Sequence, residues 1–451
     1  MMTKTSRSAL FLCAFGLFGG ACSEAGGDLG EDGDAAGGAP AVGAGGDVSS
    51  GGSQVGSGGA LPGSGGASAG GQSASGGSSA GGASAGGADA SGGSEATGGA
   101  LSSGGTNAST GGADAGVGGV VNGSGGSESG TGGAPAACAP MGWATRNGRT
   151  NTPALLTGGG TATPTVVKTF ADLQNAAAGD AARVIHIDGN LGAGWNGRSG
   201  DRLTVGSNKT IVGLHPGTQL KAPILIKGSS NVIIRNIVIK GPGSNSDQAW
   251  DNLNIEASKN VWIDHCEFWD GQDGNADVVK GADNVTFTWN IFGYRTGGEH
   301  NFSNLVASSD NEPESVGKLN ITLMFNWFTG VAQRQPRCRY GDIHIVNNLF
   351  SRDGLVSDYG ISAGKDCRVL TEANHFIDIK SPIYTSHASG SSAHQLKGSN
   401  IFENTSGNTT GYGTAFNPPY EYQDRLVPSS QVKALVSAKV GATLESPDEC
   451  D

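Results

Sequence analysis

Between Ser23 and Pro135 the chain contains no lysine or arginine and almost no large apolar side chain. A segment with so little to bury cannot offset the entropy of folding. Its glycines cycle with Ser, Ala and Thr, as in GGASAGGADASGG, but keep no every-third period, which excludes a collagen triple helix. Residues 23–135 are therefore expected to form a flexible tether. Long apolar runs are also missing, because the stretch from Ala9 to Phe18 is too short to cross a bilayer. With Lys4 and Arg7 before it and small residues after it, that stretch reads as an export signal over residues 1–22. Gly19-Gly20-Ala21-Cys22 looks like a bacterial lipoprotein cleavage box with Cys22 as the lipidated residue, and ordinary secretory cleavage after Ala21 is the alternative. A secreted protein is expected, held to the outer membrane if Cys22 carries a lipid.

No cysteine spacing resembles a zinc site. Five of the seven cysteines remain once Cys13 and Cys22 are set aside, and export permits disulfides. Cys138 with Cys450 would clasp the ends of a domain over residues 136–451, Cys338 with Cys367 is a second candidate pair, and Cys266 is left as a buried free thiol. The formal charge of −12 is misleading, since ten acidic residues lie in the tether. From Ala136 onward 26 basic residues face 30 acidic ones, so local patches decide what the domain binds. No nucleic-acid partner is expected, no membrane contact beyond the lipid, and a monomer is the expected state.

What the domain does have is repetition. From Lys209 the runs KTIVGL, NVIIRNIVI, NVWIDHCEF, NVTFTWNIF, NITLMFNWF, DIHIVNNLF, RVLTEANHF and QLKGSNIF follow one another, rich in β-branched and aromatic residues. Asn236, His265, Asn290, Asn326, Asn348, Asn374 and Asn400 mark them at separations of 29, 25, 36, 22, 26 and 26 residues. Short strands at that near-period fit the turns of a parallel β-helix, an all-β solenoid. A leucine-rich repeat would need a leucine consensus that is absent. Asparagines at one phase suggest an amide ladder from turn to turn, although plain turn asparagines would serve the fold equally well.

Counted back from the markers, Asp251, Asp277 and Arg334 share a phase, at 14, 13 and 14 residues. On a solenoid that places them on one face, and Asp273 joins them through the turn DGNAD. Two carboxylates about 5 Å apart repel by roughly 3 kcal/mol at an effective dielectric of 20, so a cluster of three calls for a cation. Calcium suits an oxygen-only ligand set; solvated turn aspartates are the plainer alternative. In QRQPRCRYG, Arg334, Arg337 and Arg339 offer planar guanidinium groups suited to carboxylates, which favours a uronate polymer over a neutral glycan, unless they form a structural salt-bridge cluster. His265 and Asp264 tempt an acid–base assignment, but His265 stands at a marker position, which favours a structural role. Trp250 and Trp269 could stack on sugars or simply pack.

NVWIDH, DGNADVVKGADNVTFTWN and RQPRCRYGDIHIVNN, preceded in order by GWATRNG, FADLQNAAAGDAARVIHIDGNL and SNKTIVG, resemble the signature blocks of the pectate lyases, polysaccharide lyase family 1. The likeness runs from about Cys138 to Val440. It implies a right-handed single-stranded parallel β-helix and β-elimination within polygalacturonate. It also implies Ca2+ held by Asp251, Asp273 and Asp277, Arg334 as the proton-abstracting base, and Arg339 as a second substrate arginine. Arg337 and Lys280 are expected as further substrate contacts. An arginine base, whose pKa ordinarily exceeds 12, points to an alkaline optimum. Two departures stand out: Phe302 occupies a place where family members commonly carry lysine, and Lys280 follows Asp277 by one residue more than usual. Arg295 or His300 could supply the missing cation. Pectin lyase, acting on methylated substrate without calcium, and a non-catalytic carbohydrate-binding β-helix are the rival readings.

Overall fold

The computed structural model describes residues 139–192, 194–195, 201–244, 250–298 and 300–449. The expectations for residues 1–22 and 23–135, for Cys22 and for a Cys138–Cys450 pair lie outside them.

Three parallel sheets of ten, eight and eight strands wind around one core, each turn of the chain adding one strand to each sheet. The expected parallel β-helix is what the chain forms. Parallel strands buried on their inner faces need long apolar columns, and the repeats supply them. Ile185, Ile211, Ile234, Ile263, Phe287, Leu323 and Ile345 pair rung to rung in the first sheet, all fully or nearly fully buried. In the second sheet Phe268, Phe292, Phe328, Phe350, Phe376 and Phe402 stack with ring centroids 4.5–5.4 Å apart.

The bend between these two sheets carries the amide ladder. Each Nδ2 of Asn290, Asn326, Asn348 and Asn374 donates to the Oδ1 of the next rung's asparagine, ending on Asn400, at 3.0–3.2 Å. The residue before each ladder position has positive φ: Trp289, Phe325, Asn347 and Ala373 in these rungs, and Asn236 and His265 in the two before them. Asn236 and His265 are therefore left-handed corner residues, one position ahead of the ladder, where Ile237 and Cys266 stand. The marker count slipped by one there, because asparagine also tolerates the left-handed corner. His265 instead stacks on Trp289 and gives its Nδ1 to Asp264, which also accepts from Arg235 and Thr288. Asp264 and His265 are thus committed to a buried structural network.

The helix Phe170–Ala177 is capped by Thr169, whose hydroxyl accepts from the Asp172 N–H. It seats Leu173, Ala176 and Ala177 in the core cluster beside the first strands. A second helix, Ser429–Lys439, packs Val432 and Val436 against Val346 and Leu349 outside the solenoid. Cys338 and Cys367 form a disulfide, as expected, and Cys266 is free and buried. Among the described residues no helix is long and apolar enough to cross a membrane.

Candidate functional site

The third sheet runs from Leu203–Val205 through Ile224–Lys227, Leu253–Glu256, Ala276–Val279, Leu305–Val306, Arg337–Cys338 and Ile361–Ala363 to Ile383–Tyr384. The strand starting at Leu253 pairs Leu253 with Ala276 and Asn254 with Asp277. Asp251 therefore precedes its strand by two residues, while Asp277 lies inside the next one, three positions further along in register. The shared phase inferred by counting was inexact for this pair, yet the two carboxylates still meet.

Gly274 lets them meet. A Cβ on this residue would lie 2.8 Å from Asp251 Oδ1, 3.3 Å from the Ser303 carbonyl and 3.5 Å from Asp277 Oδ1. The space between the carboxylates is open only because the DGNAD turn has glycine at that point. Asp251 and Asp277 are each only 8% exposed. Asp251 Oδ2 accepts from Asn254 Nδ2 at 3.2 Å, and its buried Oδ1 has no hydrogen-bond partner among the described residues. Asp277 Oδ1 accepts from the Leu305 N–H at 3.0 Å. Burial, and then the charges of Asp277 and Asp273, push the Asp251 carboxyl well above the usual carboxylate range. Burial raises Asp277 to about 7 against the opposing pull of the Leu305 N–H and Arg334. Asp273 lies nearer the surface and receives His300 Nε2 at 3.0 Å.

A buried carboxylate oxygen without a donor, a second carboxylate beside it and a third at the rim form a set of hard oxygen groups deficient in positive charge. That set fits a calcium ion. Among the described residues no three or more His, Cys, Asp or Glu side chains are already closed into a metal cluster, so the fit rests on this charge deficit and on the gap at Gly274.

Arg334 reaches the same groove through an irregularity. Phe302 bridges Gln333, but three residues later Leu305 pairs with Arg337, four residues after Gln333. The extra residue is a β-bulge, with Arg334 at φ +63°. Its guanidinium carbon lies 4.1 Å from the Phe302 ring centroid.

The other candidates are placed differently. Arg337 pairs with Leu305 and Ser362 on the neighbouring strands, in the column that also contains Asp277. Arg339 is buried, with Nε on Asp310 Oδ1 at 2.5 Å and Nη1 on the Ala307 carbonyl. Lys280 Nζ sits 3.1 Å from Glu256 Oε1, and Lys227 holds the other oxygen of Glu256. Arg295 stacks on Trp269, and Arg202 on Trp250. Of the two cations considered for the missing lysine, His300 is the one beside the aspartates. Asn254, Gly274 and Phe302 are the site's unpredicted members. Gly274 is signalled by its place between the two aspartates of DGNAD, and Phe302 only as the residue standing where the resembling family commonly has lysine.

The family model of the pectate lyases matches residues 130–443. Pectate lyase A of Aspergillus niger is 34% identical over 316 residues, covering 68% of this chain and 88% of that protein. Pectate lyase E of Dickeya chrysanthemi is 30% identical over 351 residues, covering 66% and 88%. A solved pectate lyase from Bacillus sp. N165 in complex with trigalacturonate superposes with a TM-score of 0.55 at 26% identity, covering 67% of this chain and 98% of that one. The chain belongs to the pectate lyase family, and its β-helix is the body of a polysaccharide lyase.

Proposed function

We propose that the domain cleaves polygalacturonate by calcium-assisted β-elimination, with Arg334 as the base. The observation that carries this reading is a buried, charge-deficient pair of carboxylates, Asp251 and Asp277, sharing one groove with an arginine set out on a bulge. Asp251, Asp273 and Asp277 would hold the ion. Bound there, calcium would supply positive charge to the uronate carboxylate, which acidifies the adjacent C–H. Arg337, in the same column as Asp277, would bind and orient a uronate carboxylate. Arg334 removes the proton from C5; its electron pair forms the C4–C5 double bond as the C4–O bond breaks, and the departing glycosidic oxygen takes a proton from solvent. The products are a new hydroxyl end and a 4,5-unsaturated galacturonosyl end. Arg339 reaches substrate only by releasing Asp310, and Lys280 only by loosening its hold on Glu256. Export, with a lipid on Cys22, suits an enzyme whose polymer substrate cannot enter a cell.

The test is the ultraviolet absorbance of unsaturated uronate on polygalacturonate, with calcium and then with a chelator. Absorbance that rises with calcium and disappears on chelation is expected. Undiminished turnover in chelator would sink the calcium assignment, and preference for methylated substrate would point to a pectin lyase. Binding without any cleavage would support the non-catalytic reading.

A further inference from the structure

A guanidinium placed beside carboxylates ordinarily closes on them as a forked, bidentate pair. Elsewhere in this chain arginine does so: Arg368 grips both oxygens of Asp342 at 2.8 and 2.6 Å. Arg334 shares its groove with Asp251, Asp273 and Asp277, yet among the described residues it has no ion-pair partner, and its Nε is buried without an acceptor. What occupies its flank is a ring.

Phe302 touches both cations. His300 Nε2 is 3.0 Å from Asp273 Oδ1, the His300 ring centroid is 4.0 Å from that of Phe302, and Arg334 Cζ is 4.1 Å from the Phe302 centroid. Phe302 is well anchored. It is 9% exposed, its backbone bridges Gln333, and its carbonyl accepts from Tyr294 Oη at 2.8 Å. An aromatic face attracts a cation without accepting its N–H groups in the plane. It can therefore hold a guanidinium while leaving the edge donors for another partner.

We propose that Phe302 is a positioning residue, a spacer that keeps Arg334 off the acidic groups so that base and metal ligands share a groove without closing into a salt bridge. This rests on the reading of Arg334 as base and of the aspartates as calcium ligands. Without the ring, Arg334 swings into the gap beside Gly274 and competes with the ion. The lysine common at this place in the resembling family would bring charge but no shelf, so in this chain the aromatic ring takes on the task of separation.

The test compares calcium titrations, by calorimetry, of the intact chain and of Phe302→Ala, Phe302→Tyr, Arg334→Ala and the Phe302→Ala/Arg334→Ala double variant, with a crystal structure of Phe302→Ala. Phe302→Ala is expected to weaken calcium binding by roughly tenfold, within the range for coupled neighbours, and the double variant to regain the loss. Phe302→Tyr should bind calcium as the parent does and keep its kcat, whereas Phe302→Ala loses kcat with little change in KM. In the crystal structure Arg334 should lie within salt-bridge distance of Asp251 or Asp277. Equal calcium affinity in Phe302→Ala and the intact chain, or a loss that the double variant fails to restore, would overturn the spacer. If the intact chain itself binds no calcium, the functional reading fails on its own, and the position of Arg334 in the Phe302→Ala crystal then decides the spacer alone.

Discussion

The asparagine ladder and the acidic groove occupy different edges of the same solenoid and handle buried polarity in opposite ways. In the ladder every buried amide finds a partner one rung away: Asn348 receives Asn326 and donates to Leu323, Val346 and Asn374. In the groove, Asp251 Oδ1 has no donor among the described residues, and burial first, then neighbouring carboxylates, raise the pKa of Asp251 (by Asp277 and Asp273) and of Asp277 (by Asp273). Satisfied polarity stabilises a corner. Polarity left unsatisfied makes a site that a cation or substrate completes. Stability and chemistry have been assigned to separate edges of one repeat.

Replacing Arg334 with Ala should lower kcat on polygalacturonate about 10³-fold, the scale of a general base, with the melting temperature unchanged. An unchanged kcat would remove Arg334 from the chemistry. The reverse pattern is expected at the ladder: Asn348→Ala removes five side-chain hydrogen bonds, to Asn326 N–H and Nδ2, the Leu323 and Val346 carbonyls and Asn374 Oδ1, and should cost about 3 kcal/mol in denaturant unfolding, while kcat of the folded fraction stays near that of the parent.

A groove variant should go the other way. Asp277→Asn removes a carboxylate that is costly to ionise, so the calcium-free domain should gain on the order of 2 kcal/mol at pH 8 while calcium affinity collapses. The pH dependence follows from the same group. A carboxyl raised from 3.8 to about 7 is protonated in the folded state when the unfolded chain has already released its proton. Its contribution to stability is therefore complete below about pH 4 and is lost as pH rises through 7. Parent and Asp277→Asn should accordingly match in stability at pH 4 and diverge by pH 8, and saturating calcium should close the gap. The smallest effect belongs to Cys266. Replacing this buried thiol, which heads the ladder by donating its N–H to Asn290 Oδ1, with Ala should cost about 1 kcal/mol or less and leave activity intact.

Much of this architecture was legible because a solenoid writes its core as a local, recurring pattern. The Phe and Ile columns and the lower ladder asparagines declared the turns directly. The upper corner misled for a physical reason: asparagine serves both the left-handed bend and the inward amide, so Asn236 and His265 looked like ladder members. The aspartates were visible through DGNAD, but the exact register of Asp251 against Asp277 depends on strand starts that spacing alone does not reveal. The bulge at Arg334 is a mismatch between two rungs, present in neither taken alone. Phe302 was legible only as a lysine that was missing. Its contact with Arg334 is a tertiary fact, as are the carboxylate partners that hold Lys280 and Arg339.

The Cys338–Cys367 bond ties the rung of Arg337 to the next rung toward the carboxyl end. A stack whose turns contact only their neighbours loosens from its ends inward, one turn at a time. A covalent tie placed just beyond the arginine rung acts as a stop in that unravelling. Turns below it can peel away under heat or tension while the arginine rung keeps the neighbour it is built on. The groove would then outlast the far end of its own scaffold.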